Sequence, residues 1–475
     1  MCKSILLLLG LASLANGQTT VITGKISNAI TDSVFVTHFD KTELVEVDEG
    51  TPLDLNGHFL LRYEKLTETD YNFKHGGEQT HFYAEAGDSV HLTLDYQQFD
   101  ESLVYTGNQA AFNNYLAAYF LAFLDSDDPG SNLQTAYQVQ IQMCDPLPYM
   151  EWVDSIELAQ QAFLKQWESR LASKLYVLEA GRIEFEIYRY RGDYKYLRQF
   201  FASQSDKIQV PEYPENWDSY LDKVPLDRDE LVSIDNYVEI SIEKIRVLLS
   251  KLHPEITYGT ESYSLLFLKM TASLCSKVVG EHVAKSWLES VVAQEEVAPY
   301  EAAVSQFLNS AAPEELKTDL NQLILSRKGL SVGAAASDFS LMSNTGQQLR
   351  LSDLAGKFVY VDFWATWCAP CIAELKYVQK WKSTLTDSSF VFLYISLDEE
   401  ESTWRQSIEK YLPNGFHVWG KGMNSEVAKA YGIRSLPNYF LIGPAGSFIS
   451  TNPPRPSSGN LTEYLLGEKA KFESK

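Results

Sequence analysis

Cysteine is scarce in this chain of 475 residues: Cys2, Cys144, Cys275, Cys368 and Cys371 are all there is. A disulfide scaffold is excluded at that density, so folding rests on apolar cores. Basic residues are the minority, with 40 Lys and Arg against 63 Asp and Glu and a formal net charge of −23. No basic cluster offers counter-charge to a phosphate backbone, which excludes a nucleic-acid partner. The acidity is read as a solubility property. Long apolar runs are missing after the N-terminus. The most apolar later stretch, Leu116 to Leu124, falls well short of the roughly 20 residues a membrane helix needs. Metal-ligand spacing is lacking too. His38, His58, His75, His81 and His91 are scattered, and no second Cys or His pair accompanies Cys368 and Cys371 as a zinc site requires.

What is present is ordinary globular material, 45% hydrophobic and 13% aromatic, long enough for about two to four domains. Residues 1–17 read as a signal peptide: Lys3, an apolar stretch from Ile5 to Leu14, then Ala15-Asn16-Gly17 as a cleavage site before Gln18. No cysteine follows the apolar run, so a lipoprotein acylation site is lacking. Export to the periplasm or cell envelope, without a transmembrane anchor, is the expectation. There disulfides persist. Four cysteines remain after cleavage.

Residues 18–106 carry short alternating segments, among them Val21 to Ile26, Val34 to Val36, and Val90, Leu92, Leu94 and Tyr96. Asn56-Gly57 between two apolar runs is a hairpin signal. These features predict a small antiparallel β-sandwich. Residues 107–328 change to helical spacing and predict an α-helical bundle. Phe112, Tyr115, Leu116, Tyr119, Phe120, Phe123 and Leu124 form one stripe. Trp152, Ile156, Ala159, Phe163 and Trp167 form a second, and Leu268, Ala272, Cys275 and Val279 a third. Cys144 is placed at a helix end, Cys275 as a small buried apolar residue, with a disulfide between them possible. Glu184, Glu186, Arg189 and Arg191 are assigned to a solvated surface. Residues 329–475 mix strands and helices: a hairpin around Asn344-Thr345-Gly346, strands at Phe390 to Ile395 and Tyr439 to Ile442, and helices at Thr403 to Tyr411 and Ser425 to Tyr431.

The chemistry concentrates at Val359-Tyr360-Val361-Asp362-Phe363-Trp364-Ala365-Thr366-Trp367-Cys368-Ala369-Pro370-Cys371. A strand runs into a Cys-x-x-Cys pair, and Ile372, Ala373, Leu375 and Val378 continue with helical spacing. Free N–H groups and the partial positive charge at a helix start stabilise a thiolate at Cys368.

This stretch, with Gly432-Ile433-Arg434-Ser435-Leu436-Pro437 downstream and Leu351-Ser352-Asp353-Leu354 upstream, resembles the thioredoxin superfamily. Within it, the likeness is to the exported TlpA/ResA-like thiol–disulfide oxidoreductases known from cytochrome c maturation. The resemblance covers residues 329–475, under a third of the chain, and implies a C-terminal α/β thioredoxin-like fold. It implies Cys368, exposed at the helix start, as nucleophile and Cys371 as resolving thiol, and Asp362 as a buried carboxyl that trades a proton with Cys371. Glu374 matches an acidic residue of ResA-like proteins and is a second candidate for that role, the alternative being a solvated position in the first helical turn. Pro437 matches a cis-proline loop beside the disulfide, with Leu436 before it. Trp367 is assigned to client docking and Trp364 to packing. Lys376, Asn438 and Ser337 depart from the family pattern at positions that tune the site. The implied protein reduces disulfides of client proteins, draws electrons from a membrane thiol donor, and needs no cofactor beyond the Cys368–Cys371 disulfide. A peroxidase lacks its lone reactive cysteine here. A client-binding envelope protein and a disulfide isomerase stay open as alternatives.

Overall fold

A computed structural model describes residues 19–40, 45–63, 70–125, 132–204, 207–294, 298–327, 329–384, 387–411, 415–433 and 435–474. The expected signal peptide lies outside these residues. The chain divides into two compact units. One holds residues up to 252 with 270–283, and the other holds 253–269 with 284 onward. The stretch expected to form one helical domain, 107–328, is thus shared between them.

The first unit opens with β1 (Thr20–Ser27), β2 (Ser33–Asp40), β3 (Val45–Pro52), β4 (His58–Tyr63), β5 (Asp70–His75), β6 (Glu78–Tyr83), β7 (Ser89–Asp95) and β8 (Val104–Gly107). They form two sheets, ordered β4-β1-β7-β8 and β3-β2-β5-β6. Side chains alternate along each strand. Ile22, Leu61, Val90 and Leu92 from one sheet therefore meet Val36, Tyr71, Phe73 and Phe82 from the other in a single apolar cluster. The expectation of purely antiparallel pairing fails at β1 and β7, which run parallel from Val21↔Ser89 to Ser27↔Asp95.

The Asn56-Gly57 turn forms, with Gly57 at φ 79°, but not as a hairpin. Asp54 Oδ1 accepts from the Asn56 and His58 N–H groups, both at 2.8 Å, and the chain turns a corner between sheets. β3 pairs along its length with β2, while β4 pairs with β1. Each arm of the turn has found a better partner than the other.

The helical continuation is α1 (Ala110–Phe123), α2 (Leu133–Met143), α3 (Pro146–Lys165), α4 (Ser173–Gln204), α5 (Asp235–Leu252), α6 (Glu261–Leu274), α7 (Lys277–Gln294), α8 (Glu301–Leu308) and α9 (Glu314–Arg327). α1 buries Phe112, Tyr115, Leu116 and Tyr119 as its stripe requires. It also carries two asparagines that act as pieces of strand. Asn113 accepts from the Tyr83 N–H at 2.8 Å and donates to the Tyr83 carbonyl at 3.0 Å. Asn114 does the same with Tyr105, at 2.9 and 2.8 Å. An amide side chain presents the same donor and acceptor as a peptide unit, so α1 pairs with the edge strands β6 and β8.

Three helical expectations need correction. The buried stripe of α3 is Tyr149, Val153, Gln160 and Leu164, one position off the tryptophan stripe, and Trp167 lies past its end. The third stripe is broken between α6 and α7, leaving Ala272 exposed and Cys275 half-buried and, like Cys144, unbridged. Glu184, Glu186, Arg189 and Arg191 are half-buried. α4 also holds the wholly buried Glu179 against Arg182 at 3.0 Å. A charged side chain with an opposite partner one turn away tolerates burial, which composition alone does not show.

In the second unit, β9 (Ser340–Ser343), β10 (Gln348–Arg350), β11 (Phe358–Trp364), β12 (Phe390–Ser396), β13 (Phe416–Trp419), β14 (Asn438–Ile442) and β15 (Phe448–Ser450) form one sheet ordered β10-β9-β13-β12-β11-β14-β15. Helices α10 (Ala369–Thr384), α11 (Glu401–Tyr411), α12 (Glu426–Ala430) and α13 (Leu461–Glu473) complete it. β11 is buried at all seven positions. Val359, Val361 and Phe363 enter one core cluster, while Phe358, Tyr360 and Trp364 enter another. A strand covered on both faces reads as a continuous apolar run, which is how the sequence presents it. β13 and β15 were not foreseen, being too short to show a period. Among the described residues no helix is long and apolar enough to cross a membrane.

Replacing Asn113 with Ala strands the Tyr83 N–H and carbonyl in a buried setting. The expected cost is about 2–4 kcal/mol, read as a lower urea midpoint for the first unit. Asn114→Ala, nearer solvent, is expected to cost less.

Candidate active site

The site lies where β11 ends. Thr366 and Trp367 turn the chain, Cys368 precedes α10, and Cys371 stands in its first turn. The two sulfurs are joined in a disulfide. The Cys371 backbone N–H points at Cys368 Sγ, 3.2 Å away. A helix start leaves such N–H groups without partners in the helix, and here one serves the first sulfur as it would a capping oxygen. The expectation that Cys368 is exposed needs correction. It is 5% exposed and Cys371 1%, and Leu436 packs against the cluster holding both.

The turn before the cysteines is held by a residue that sequence reading missed. Asp398, buried two residues beyond β12, accepts from the Thr366 N–H at 3.0 Å and from the Thr366 hydroxyl at 2.6 Å. The Ser396 hydroxyl donates to its other oxygen at 2.7 Å. Trp419 Nε1 donates to the Asp398 carbonyl at 2.7 Å. One residue thus joins the ends of β12 and β13 to the approach to Cys368, its carboxylate binding Thr366 and Ser396 and its backbone carbonyl binding Trp419. The available signal was an acidic residue directly after an apolar strand, Leu397-Asp398.

Two carboxyls close to the cysteines in sequence are buried. On β11, alternation sends Asp362 to the same face as Tyr360 and Trp364, the face whose cluster contains both cysteines. Asp362 is 2% exposed, set between Tyr394 on β12 and Tyr439 on β14 by strand register. Its Oδ1 has no hydrogen-bond partner among the described residues. Burial, and secondly the charge of Glu374, push its carboxyl well above the ordinary carboxylate range. Glu374 stands one turn after Cys371. It is 8% exposed and lies beyond the first helical turn, which corrects the solvated first-turn alternative. Ser457, in the short turn Pro456–Ser458, donates to it twice: its N–H to Oε2 and its hydroxyl to Oε1, each at 2.8 Å. Sequence offered no signal for Ser457, because 83 residues separate the pair.

The other named residues fall around this centre. The Leu436–Pro437 peptide is cis, and Asn438 after it opens β14 opposite Phe363. Trp364 is fully buried, whereas Trp367 is 49% exposed beside the cysteines. The Ser337 carbonyl accepts from the Tyr431 hydroxyl at 2.8 Å. The side chain of Lys376 lies outside the described residues.

Two outcomes follow for this site. Asp398→Ala removes the bonds to Thr366 and Ser396 and is expected to destabilise the second unit by about 3 kcal/mol, measured by urea unfolding of the oxidised protein. A carboxyl raised in the folded state binds its proton more tightly folded than unfolded. Its stabilising contribution is therefore complete below the unfolded value near 3.8 and is lost as pH rises through the folded value. Unfolding free energy of the oxidised protein is expected to fall with rising pH above that point, with a shallower fall in Asp362→Asn.

Residues 332–449 match the family described as the AhpC/TSA family. The thiol–disulfide oxidoreductase ResA of Halalkalibacterium halodurans is 30% identical over 136 residues, 29% of this chain and 73% of that one. ResA of Bacillus subtilis is 28% identical over 149 residues, 31% of this chain and 79% of that protein. Among solved structures, the thioredoxin domain of a thiol–disulfide oxidoreductase from Bacteroides vulgatus is 28% identical, covering 30% of this chain and 97% of its own, with a TM-score of 0.27. The 30% identity with the first of these relatives, over 73% of its length, shows that the chain belongs to the ResA-like thiol–disulfide oxidoreductases of the thioredoxin superfamily.

Proposed function

We propose that the protein is an exported reductase of disulfides in client proteins, working through Cys368 and Cys371. The observation that carries this reading is the Cys371 N–H aimed at Cys368 Sγ at the start of α10. In the dithiol form that N–H and the helix end favour the thiolate at Cys368 over that at Cys371. The Cys368 thiolate attacks one sulfur of a client disulfide. A mixed disulfide forms, and the other client sulfur leaves as a thiolate that takes a proton from water. Cys371 then gives its proton to a carboxylate and attacks Cys368 Sγ. The Cys368–Cys371 bond forms, the bond to the client breaks, and the client leaves as a dithiol. Two electrons have passed from the protein to the client.

In this reading Trp367, exposed beside the pair, with Leu436 and Pro437, forms the ledge on which a client strand docks. Return to the dithiol requires a membrane thiol donor, since an exported protein has no soluble reductant pool. The two sheets of residues 18–106 serve as a β-sandwich domain ahead of the redox domain at 329–475, and the helices of residues 107–328, divided between the two units, lie between them in the sequence. A role in supplying reduced thiols for cytochrome c maturation is consistent with the ResA likeness.

The test is a trap. Cys371→Ser is expected to accumulate clients on Cys368 as mixed disulfides that a reductant releases, and Cys368→Ser to accumulate none. Equilibration with glutathione is expected to place the potential nearer the roughly −270 mV of thioredoxin than the roughly −120 mV of DsbA. A value above about −150 mV would overturn the reductase assignment.

A further inference from the structure

The turn that delivers Cys368 is closed by one hydrogen bond and fastened by several others. The Cys368 N–H donates to the Ala365 carbonyl at 3.2 Å, so Thr366 and Trp367 are the two central residues of a tight turn. Strand pairing ends just before it, where the Leu397 N–H donates to the Trp364 carbonyl at 2.8 Å. Past that point Asp398 takes the place of the ladder. Its Oδ1 accepts from both the N–H and the hydroxyl of Thr366, and its Oδ2 from the Ser396 hydroxyl. The Asp398 N–H donates back to Ser396 Oγ at 3.1 Å, and Trp419 Nε1 fixes the Asp398 carbonyl. Asp398 and Ser396 are both buried. The carboxylate is thus held by the ends of two strands, and Thr366 hangs on it by backbone and side chain together.

This fastening matters differently in the two redox states. In the disulfide, the bond to Cys371 itself keeps Cys368 Sγ over the start of α10. In the dithiol that bond is gone, and the rotamer of the cysteine side chain depends on the backbone dihedrals of Cys368. Those dihedrals are held on one side by α10, where the Ile372 N–H donates to the Cys368 carbonyl at 3.1 Å. On the other side they are held by the turn. The group that Sγ must reach is the Cys371 N–H, 3.2 Å away, one of the donors that stabilise a thiolate at a helix start.

We infer that Asp398 is a positioning residue for the Cys368 thiolate: by fixing Thr366 it keeps Sγ on the Cys371 N–H when the disulfide is open. The inference rests on the redox reading above and deepens it. Loss of Asp398 falls on the dithiol state, because the disulfide state has its own tether.

Asp398→Ala removes the fastening. In reduced full-length protein at pH 7, alkylation of Cys368 by iodoacetamide, located by peptide fragmentation, is expected to slow about tenfold, the weight of one hydrogen bond to a charged group. In a glutathione buffer the ratio of dithiol to disulfide is expected to fall by about the same factor. Asp398→Asn keeps an oxygen for both Thr366 donors and is expected to return both values to wild type. Thr366→Val loses one hydroxyl and leaves Asp398 in place. It is expected to move both values in the same direction by about threefold, and Thr366→Ser to restore them. Lost stability alone lowers the urea midpoint and leaves both values unchanged in the folded protein. Wild-type rate and ratio in Asp398→Ala or in Thr366→Val, or an Asp398→Asn change as large as that of Asp398→Ala, would overturn the inference. Both readouts use small thiol reagents and no client, so a failed client trap and a failed positioning role are told apart.

Discussion

A carboxyl held out of water beside a disulfide is the constraint around which the redox unit is built. Taking an ionised carboxylate into such a setting costs several kcal/mol even after relaxation, so burial pushes the Asp362 carboxyl well above the ordinary carboxylate range. The setting needs a strand covered on both faces, which β11 supplies by sitting between β12 and β14 with a core on each side. It also needs the cysteines delivered to the same face. Strand alternation puts Asp362 there, and the turn at Thr366 puts α10 over it. Asp398 holds the turn and Ser457 bonds to Glu374, each from a segment remote in sequence.

The first unit solves a different problem with a similar device. Two small sheets leave open edges, which invite pairing with other chains. α1 closes one edge of each sheet with an asparagine that imitates a peptide unit. An amide side chain lets a helix, whose own backbone groups are already paired, bond to a strand. Farther on, the buried Glu179–Arg182 pair lies within α4, and the aromatic cluster of Tyr149, Tyr190 and Tyr194 packs α3 against α4. Neither unit depends on its free cysteines, Cys144 and Cys275. The protein's disulfide chemistry, as described, is confined to Cys368 and Cys371.

Where sequence reading went astray, a long-range competitor had the better claim. The Asn56-Gly57 signal is local and the turn obeys it, but strand pairing was decided by β1 and β2 and converted a hairpin into a corner. The tryptophan stripe on α3 had the right period and the wrong phase, because wide aromatic side chains cover apolar surface from the flank of a helix as well as from its centre. The charges of α4 were assigned to water since each alone is costly to bury; Glu186 and Arg189 have partners one turn away on the same helix, and the fold brings Asp154 and Glu157 of α3 to Arg191. Cys368 was expected in the open because reactivity asks for access. In the disulfide form it is buried, and Leu436, far along the chain, packs against the cluster that holds it.

By itself the sequence determined the elements and the chemistry of the redox centre. Strand, turn, Cys-x-x-Cys and helix follow one another within a single stretch, where local propensity, helix-end polarity and thiol spacing act over a few residues. Asp362, Glu374 and Pro437 were also legible there, though only through resemblance. The tertiary structure alone decided which groups surround that centre. Asp398 and Ser457 arrive through strand order and loop closure, and no local pattern encodes a hydrogen bond across 32 or 83 residues. It alone decided the burial of both carboxyls as well, because burial depends on what the rest of the chain lays over them.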